Sequence, residues 1–256
     1  MSSPTHRAWT TGTGDAESML AEARKALFVM IGFLALLWVV QLVNAADHLK
    51  LVYEYGIRPR SASSLPDILT APFLHLSWTH IESNSGPLFI FGFLAAYRGV
   101  IRFVGLTMLV IIVSGFASWL FAPANSIGVG ASGVVFGYLG YILVRGFFDR
   151  HVIDILIGAV MALCFAYQFT VLLPQKGIGW QDHIGGLVAG VVGGWIFRER
   201  RPASLSAADA TRTASASATT IQAGDKATLP ATGSHPTGKF TGPRADLHKE
   251  LDDLGI

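Results

Sequence analysis

Three polar groupings interrupt otherwise apolar sequence in this 256-residue chain, and each holds residue types that do acyl chemistry. The first is Ser132, flanked by Gly130 and Gly133. A serine on an apolar helix ordinarily bonds a carbonyl one turn back. Glycines beside it let another backbone, or a substrate, approach the hydroxyl closely. Gly133 and Gly137 also form a small-xxx-small face suited to tight helix packing. The second grouping is His183, with Gly186 and Gly190 following at one-turn spacing. A neutral imidazole near pH 7 can take a proton from a serine hydroxyl, although a lone histidine at a helix end more often plays a structural part. The third is His80 and Asn84, four apart and so on one helix face, with His75 just before them. Two donors aimed at one point are what a developing oxyanion needs. A metal site drawn from His75, His80, Glu82 and His183 is the rival reading. Against it, the set has no H-E-x-x-H or paired-cysteine signature.

The elements that must position these groups are set by composition. Half of the residues (51%) are hydrophobic and only 14% are charged, where a soluble domain carries about 25%. Mean hydropathy is +0.47. Lipid is therefore expected to face much of the surface. Six apolar stretches stand out, at residues 27–45, 78–97, 104–122, 126–144, 152–173 and 184–197. A spanning helix needs about 17–25 residues, so the sixth must begin near Gly179 and take in Gln181, Asp182 and His183.

Loop charges give an orientation. Arg24 and Lys25, Arg98 and Arg102, Arg145 and Arg150, and Arg198, Arg200 and Arg201 fall on one side of a six-span arrangement. The other side holds fewer cations, diluted by Asp47, Glu54 and Asp67, and the loop 123–130 is uncharged. The positive-inside rule then places both termini in the cytoplasm. From Pro202 onward Ser, Thr, Ala, Gly and Pro dominate, which predicts a disordered cytoplasmic tail. Leu247, Leu251 and Leu254 would suit a short amphipathic helix at its end. The expected organisation is a cytoplasmic segment 1–25, a membrane domain 26–201 and a tail 202–256. The start lacks the basic-then-apolar pattern of a signal peptide. A formal charge of +2 and the lack of any basic stripe argue against nucleic acid. The single cysteine, Cys164, excludes an internal disulfide.

Together the three groupings resemble the rhomboid family of intramembrane serine proteases. The matching patterns are H-x(4)-H-x(3)-N at His75, His80 and Asn84, G-x-S-G at Gly130 to Gly133, and H-x-x-G at His183 and Gly186. They occur in the family's order, on the second, fourth and sixth spans. The resemblance covers about residues 26–201 and implies an all-α, six-helix membrane bundle. It implies that Ser132 is the nucleophile and His183 the general base. His80, Asn84 and the Ser132 backbone N–H would form the oxyanion hole. The family places an aromatic, commonly Tyr, four residues after the serine and against the imidazole. Here that position is Phe136, which keeps the ring and loses the phenolic hydroxyl.

The implied reaction is peptide hydrolysis in or near spanning segments of membrane-protein substrates, without a cofactor, in a bacterial plasma membrane. Such substrates must unwind locally before attack, because helical backbone is already hydrogen-bonded. Asp182 is tempting as a third catalytic member. Neighbours on a helix point about 100° apart, which argues against its orienting His183. The alternatives are an inactive rhomboid-like protein that binds membrane clients, and a small transporter, which should show inverted repeats. The oligomeric state is left open by the sequence.

Overall fold

A computed structural model describes residues 10–175 and 177–199. The chain divides into Met1–Arg200 and Arg201–Ile256, and all described residues belong to the first unit. The expected polar tail and its amphipathic end lie outside the described residues.

Seven α-helices are present among them: α1 (Thr10–Ala46), α2 (Lys50–Tyr55), α3 (Trp78–Ala96), α4 (Val100–Phe121), α5 (Ser132–Asp149), α6 (Val152–Cys164) and α7 (Trp180–Ile196). Short 3-10 turns link α2 to α3, and a longer one, Ala166–Leu172, follows α6. The described residues contain no strand, only an isolated antiparallel bridge between Ile57 and Gly128. Two segments are long and apolar enough to cross a membrane, Ala16–Ala46 and Val100–Phe121, and the bent pair α6 plus Ala166–Leu172 makes a third candidate. The remaining expected spans coincide with α3, α5 and α7, whose Ser, His, Asn and Gly residues lower their hydropathy. Large apolar side chains stand exposed along the bundle, among them Ile101, Ile112, Leu156 and Leu163. Water would not tolerate that surface and lipid covers it. The chain is an all-α, multi-pass membrane protein.

α5 is the central element. Every residue from Gly133 to Ile142 is buried, and α3, α4, α6 and α7 pack around it. Its contact with α7 is backbone to backbone. A methyl group at Gly186 would collide with the Gly133 carbonyl, and one at Gly190 with the Gly137 carbonyl. Gly137 itself lies against Val110 of α4. Without a hydrophobic drive between helices in lipid, such close packing supplies the attraction. Sparse polar ties add to it: Thr107 Oγ1 and Tyr138 Oη lie 2.7 Å apart between α4 and α5, and Trp38 Nε1 donates to Ser85 Oγ at 3.1 Å between α1 and α3.

Two boundaries differ from the sequence expectation. The fourth helix starts at Ser132, not near Ser126. Residues 126–131 cannot continue a helix because Gly130 has φ +118°, and Gly128 is paired with Ile57 through N–H···O bonds of 2.8 and 3.0 Å. The fifth stretch is not one helix. It breaks at Phe165 and turns by 69° into the 3-10 segment, with neither Pro nor Gly at the bend.

Candidate active site

The loop before Ser132 is tied down on several sides. The Gly130 N–H donates to the Ala71 carbonyl at 2.9 Å. The Ala131 N–H points to His75 Nε2 at 3.4 Å. His75 is held in turn by Asn44 of α1, whose Nδ2 donates to the His75 carbonyl at 3.0 Å while its Oδ1 accepts the Val52 N–H at 3.3 Å. Burial pushes the His75 imidazole down to about 3, so at neutral pH its ring is uncharged and Nε2 can accept. His75 thus braces the turn that leads into the serine. Ser132 is the first residue of α5, so its own N–H is one of the first-turn donors with no carbonyl one turn back.

A cavity of about 590 Å³ opens at this end of the bundle, and Ser132, His80, Asn84, Asp182 and His183 all line it. Gly130 is where the α3 side chains converge. A Cβ there would lie 2.7 Å from His80 Nε2 and 3.8 Å from Asn84 Nδ2. Only glycine satisfies both that approach and the positive φ. Asn84 Nδ2 is buried and has no hydrogen-bond partner in the structure. A buried donor left unpaired costs about 1–3 kcal/mol, which makes it available to an incoming acceptor. His75 and His80 rings meet edge to face at 5.0 Å.

His183 is buried against Phe136, the two rings stacked at 4.6 Å and 27°. Its Nδ1 lies 2.9 Å from the Val171 carbonyl of the 3-10 segment. A carbonyl can only accept, so Nδ1 carries the hydrogen and Nε2 keeps its lone pair. That tautomer is the one able to receive a proton through Nε2. The backbone of the bent fifth span thus orients the imidazole, a part that sequence reading did not find and that no side-chain pattern encodes. The Ser132 hydroxyl hydrogen-bonds not to His183 but to Asp182, Oγ to Oδ2 at 3.2 Å. The sequence argument was right that Asp182 does not reach the imidazole through its neighbour's face. It missed that the same side chain reaches the serine on α5.

The expected residues are therefore gathered at one place: Ser132, His183, His80, Asn84, Gly130, Gly133 and Phe136 at the cavity, His75 behind the loop, and Gly186 at the α5–α7 contact. Glu82 is exposed on α3. Among the described residues no group of three or more His, Cys, Asp or Glu is placed to hold a metal ion. Asn44, missed as a site-supporting residue, had one available signal, a strongly polar residue inside an apolar run.

A half-buried serine and a buried histidine at the mouth of a helical membrane bundle define a class, and sequence comparison supplies its name. The family model for the rhomboid domain matches residues 62–200. An uncharacterized protein of Mycobacterium tuberculosis is 35% identical over 192 residues, covering 71% of this chain and 80% of that protein. The rhomboid protease GlpG of Haemophilus influenzae is 25% identical over 193 residues, covering 74% of this chain and 99% of that protein. A chloroplastic rhomboid-like protein of Arabidopsis thaliana is 29% identical over 191 residues, covering 66% of this chain and 67% of that protein. This chain belongs to the rhomboid family.

Proposed function

We propose that the protein is an intramembrane serine endopeptidase in which Ser132 and His183 form the catalytic dyad. The observation that carries the reading is the shared cavity. One serine at a helix N-terminus, one imidazole with a free Nε2 and one unpaired amide donor face the same space. Ser132 Oγ attacks the scissile carbonyl carbon and its proton passes to His183 Nε2. The carbonyl oxygen becomes an oxyanion, received by Asn84 Nδ2, His80 and the Ser132 N–H. The imidazolium then gives its proton to the leaving amine, and water hydrolyses the acyl-enzyme by the same steps. No cofactor is needed. The substrates are spanning segments of membrane proteins, unwound locally at the cavity. Family membership and the similarity to a protein named as a protease support this reading.

The test is purified protein incubated with a single-span model substrate. Ser132→Ala and His183→Ala should each reduce cleavage to background with folding retained. The double variant should be hardly worse, since the two act as a unit. Substantial cleavage by Ser132→Ala would overturn the assignment.

The orientation follows from the charges. Both termini are cytoplasmic, and the cavity opens on the opposite side of a plasma membrane. Cysteines introduced at Ala124 or Gly177, with Cys164 removed, should react with a membrane-impermeant thiol reagent in intact cells. Cysteines at Gly99 or Ser204 should react only after lysis. The reverse pattern would overturn the orientation.

A further inference from the structure

Asp182 contacts the serine and has no part in the dyad. Its Oδ2 accepts the Ser132 hydroxyl at 3.2 Å, and it lines the cavity beside His183. A serine hydroxyl has one hydrogen to give. For His183 to act as base that hydrogen must point at Nε2. A carboxylate acceptor makes a hydrogen bond about twice as strong as a neutral one. With Asp182 ionised, the hydrogen stays on the carboxylate and the reactive rotamer is the minor one. Attack requires the hydroxyl hydrogen to leave Asp182 and turn about the Cβ–Oγ bond toward the imidazole.

We propose that Asp182 is a positioning residue that holds the Ser132 hydroxyl in a resting orientation and so sets the fraction of enzyme ready to attack. The inference rests on the dyad reading. A competing explanation gives Asp182 a structural part alone. It sits in the first turn of α7, where a carboxylate is favourable to the free N–H groups. The two roles predict opposite signs. Loss of a helix-stabilising carboxylate lowers stability and cannot speed the serine, whereas release of a resting hydrogen bond raises its reactivity.

The experiment uses the full chain in detergent and a fluorophosphonate probe. Oγ attacks phosphorus, the O–P bond forms, the P–F bond breaks, fluoride leaves and the hydroxyl proton goes to His183. Asp182→Asn keeps the shape and weakens the acceptor. Its labelling rate and its kcat on the model substrate should rise about three- to tenfold, with KM unchanged. Asp182→Glu keeps a carboxylate within reach of Ser132 and should return toward the wild-type rate. If Asp182→Asn does not fold, Asp182→Ser keeps a polar first turn and carries the same expectation. A rate equal to or below wild type in a folded variant overturns the proposal. Wild-type protein that takes no label, like Ser132→Ala, overturns the protease reading itself, a result distinct from an unchanged rate in Asp182→Asn.

Discussion

The two ends of the same helices treat polar groups in opposite ways. At the start of α3, α5 and α7 are His80 and Asn84, Ser132, and Asp182 and His183, arranged around an open cavity with Asn84 Nδ2 unpaired. At or beyond their far ends are Arg98, Arg145 and Glu199. There Asp154 of α6, nearly fully buried, accepts from Arg145 Nη2 at 2.8 Å and pairs also with Arg98. Arg145 Nη1 donates to the Leu94 carbonyl at 2.9 Å. Arg98 and Arg102 both reach Glu199 at 3.3 Å, and the Glu199 N–H bonds Asp149 at 2.7 Å. Ser132 and Arg145 are thirteen residues apart on α5, about 20 Å along the axis. Both regions bury polar atoms that lipid would penalise. One end directs most of them at one another, with the Arg98 and Arg145 Nε atoms left over, and binds the end of α3, α5, α6 and the segment after α7 together. The other pairs Ser132 with Asp182 and His183 with Val171 around an open cavity and leaves the Asn84 amide unpaired toward it. What separates the two regions is therefore not whether their polar groups have partners but whether they line an open cavity. The arginines that read as topological signals are also tertiary clamps.

The comparison can be broken by substitutions at each end. The largest effect after loss of the dyad should come from the unpaired donor. Asn84→Ala should lower turnover about 10²-fold, with substrate affinity and melting temperature little changed. His80→Ala should act on the same scale. If both keep wild-type turnover, the donors at the cavity serve packing and the contrast between the ends disappears.

Asp154→Ala should do the reverse. It leaves the Arg145 guanidinium buried beside Arg98 without a counter-charge, a change that costs about 3–5 kcal/mol when a buried pair is broken from one side. The melting temperature should fall well below wild type, while the kcat of the folded fraction stays within about twofold. A fall in kcat with unchanged stability would show that the far end communicates with the site. The smallest effect should come from truncation. Removing residues 202–256 should leave cleavage in detergent nearly intact, because their composition cannot build a packed core. Lost activity in a folded, truncated protein would assign the tail a direct role.

The sequence by itself marked the apolar stretches, their order and several of the residues at the cavity. Apolar run lengths are set by bilayer thickness, and polar residues survive inside them only for a reason, so Ser132, His183, His80 and Asn84 were conspicuous. The glycine faces at Gly133 and Gly186 were legible because only small residues allow such close contact. What the tertiary structure alone decided are contacts between elements distant in the chain. Asp182 was judged along its own helix, where it cannot serve His183. Its partner lies fifty residues earlier on a neighbouring helix. The Val171 carbonyl that orients His183 is backbone, identical in every residue, and lies in the 3-10 segment beyond the bend at Phe165. The helix start at Ser132 depends on Gly130 and Gly128 meeting Ala71 and Ile57 across the fold. Periodicity and spacing record what each element needs from its solvent. They do not record which side chain or carbonyl of another element it will meet.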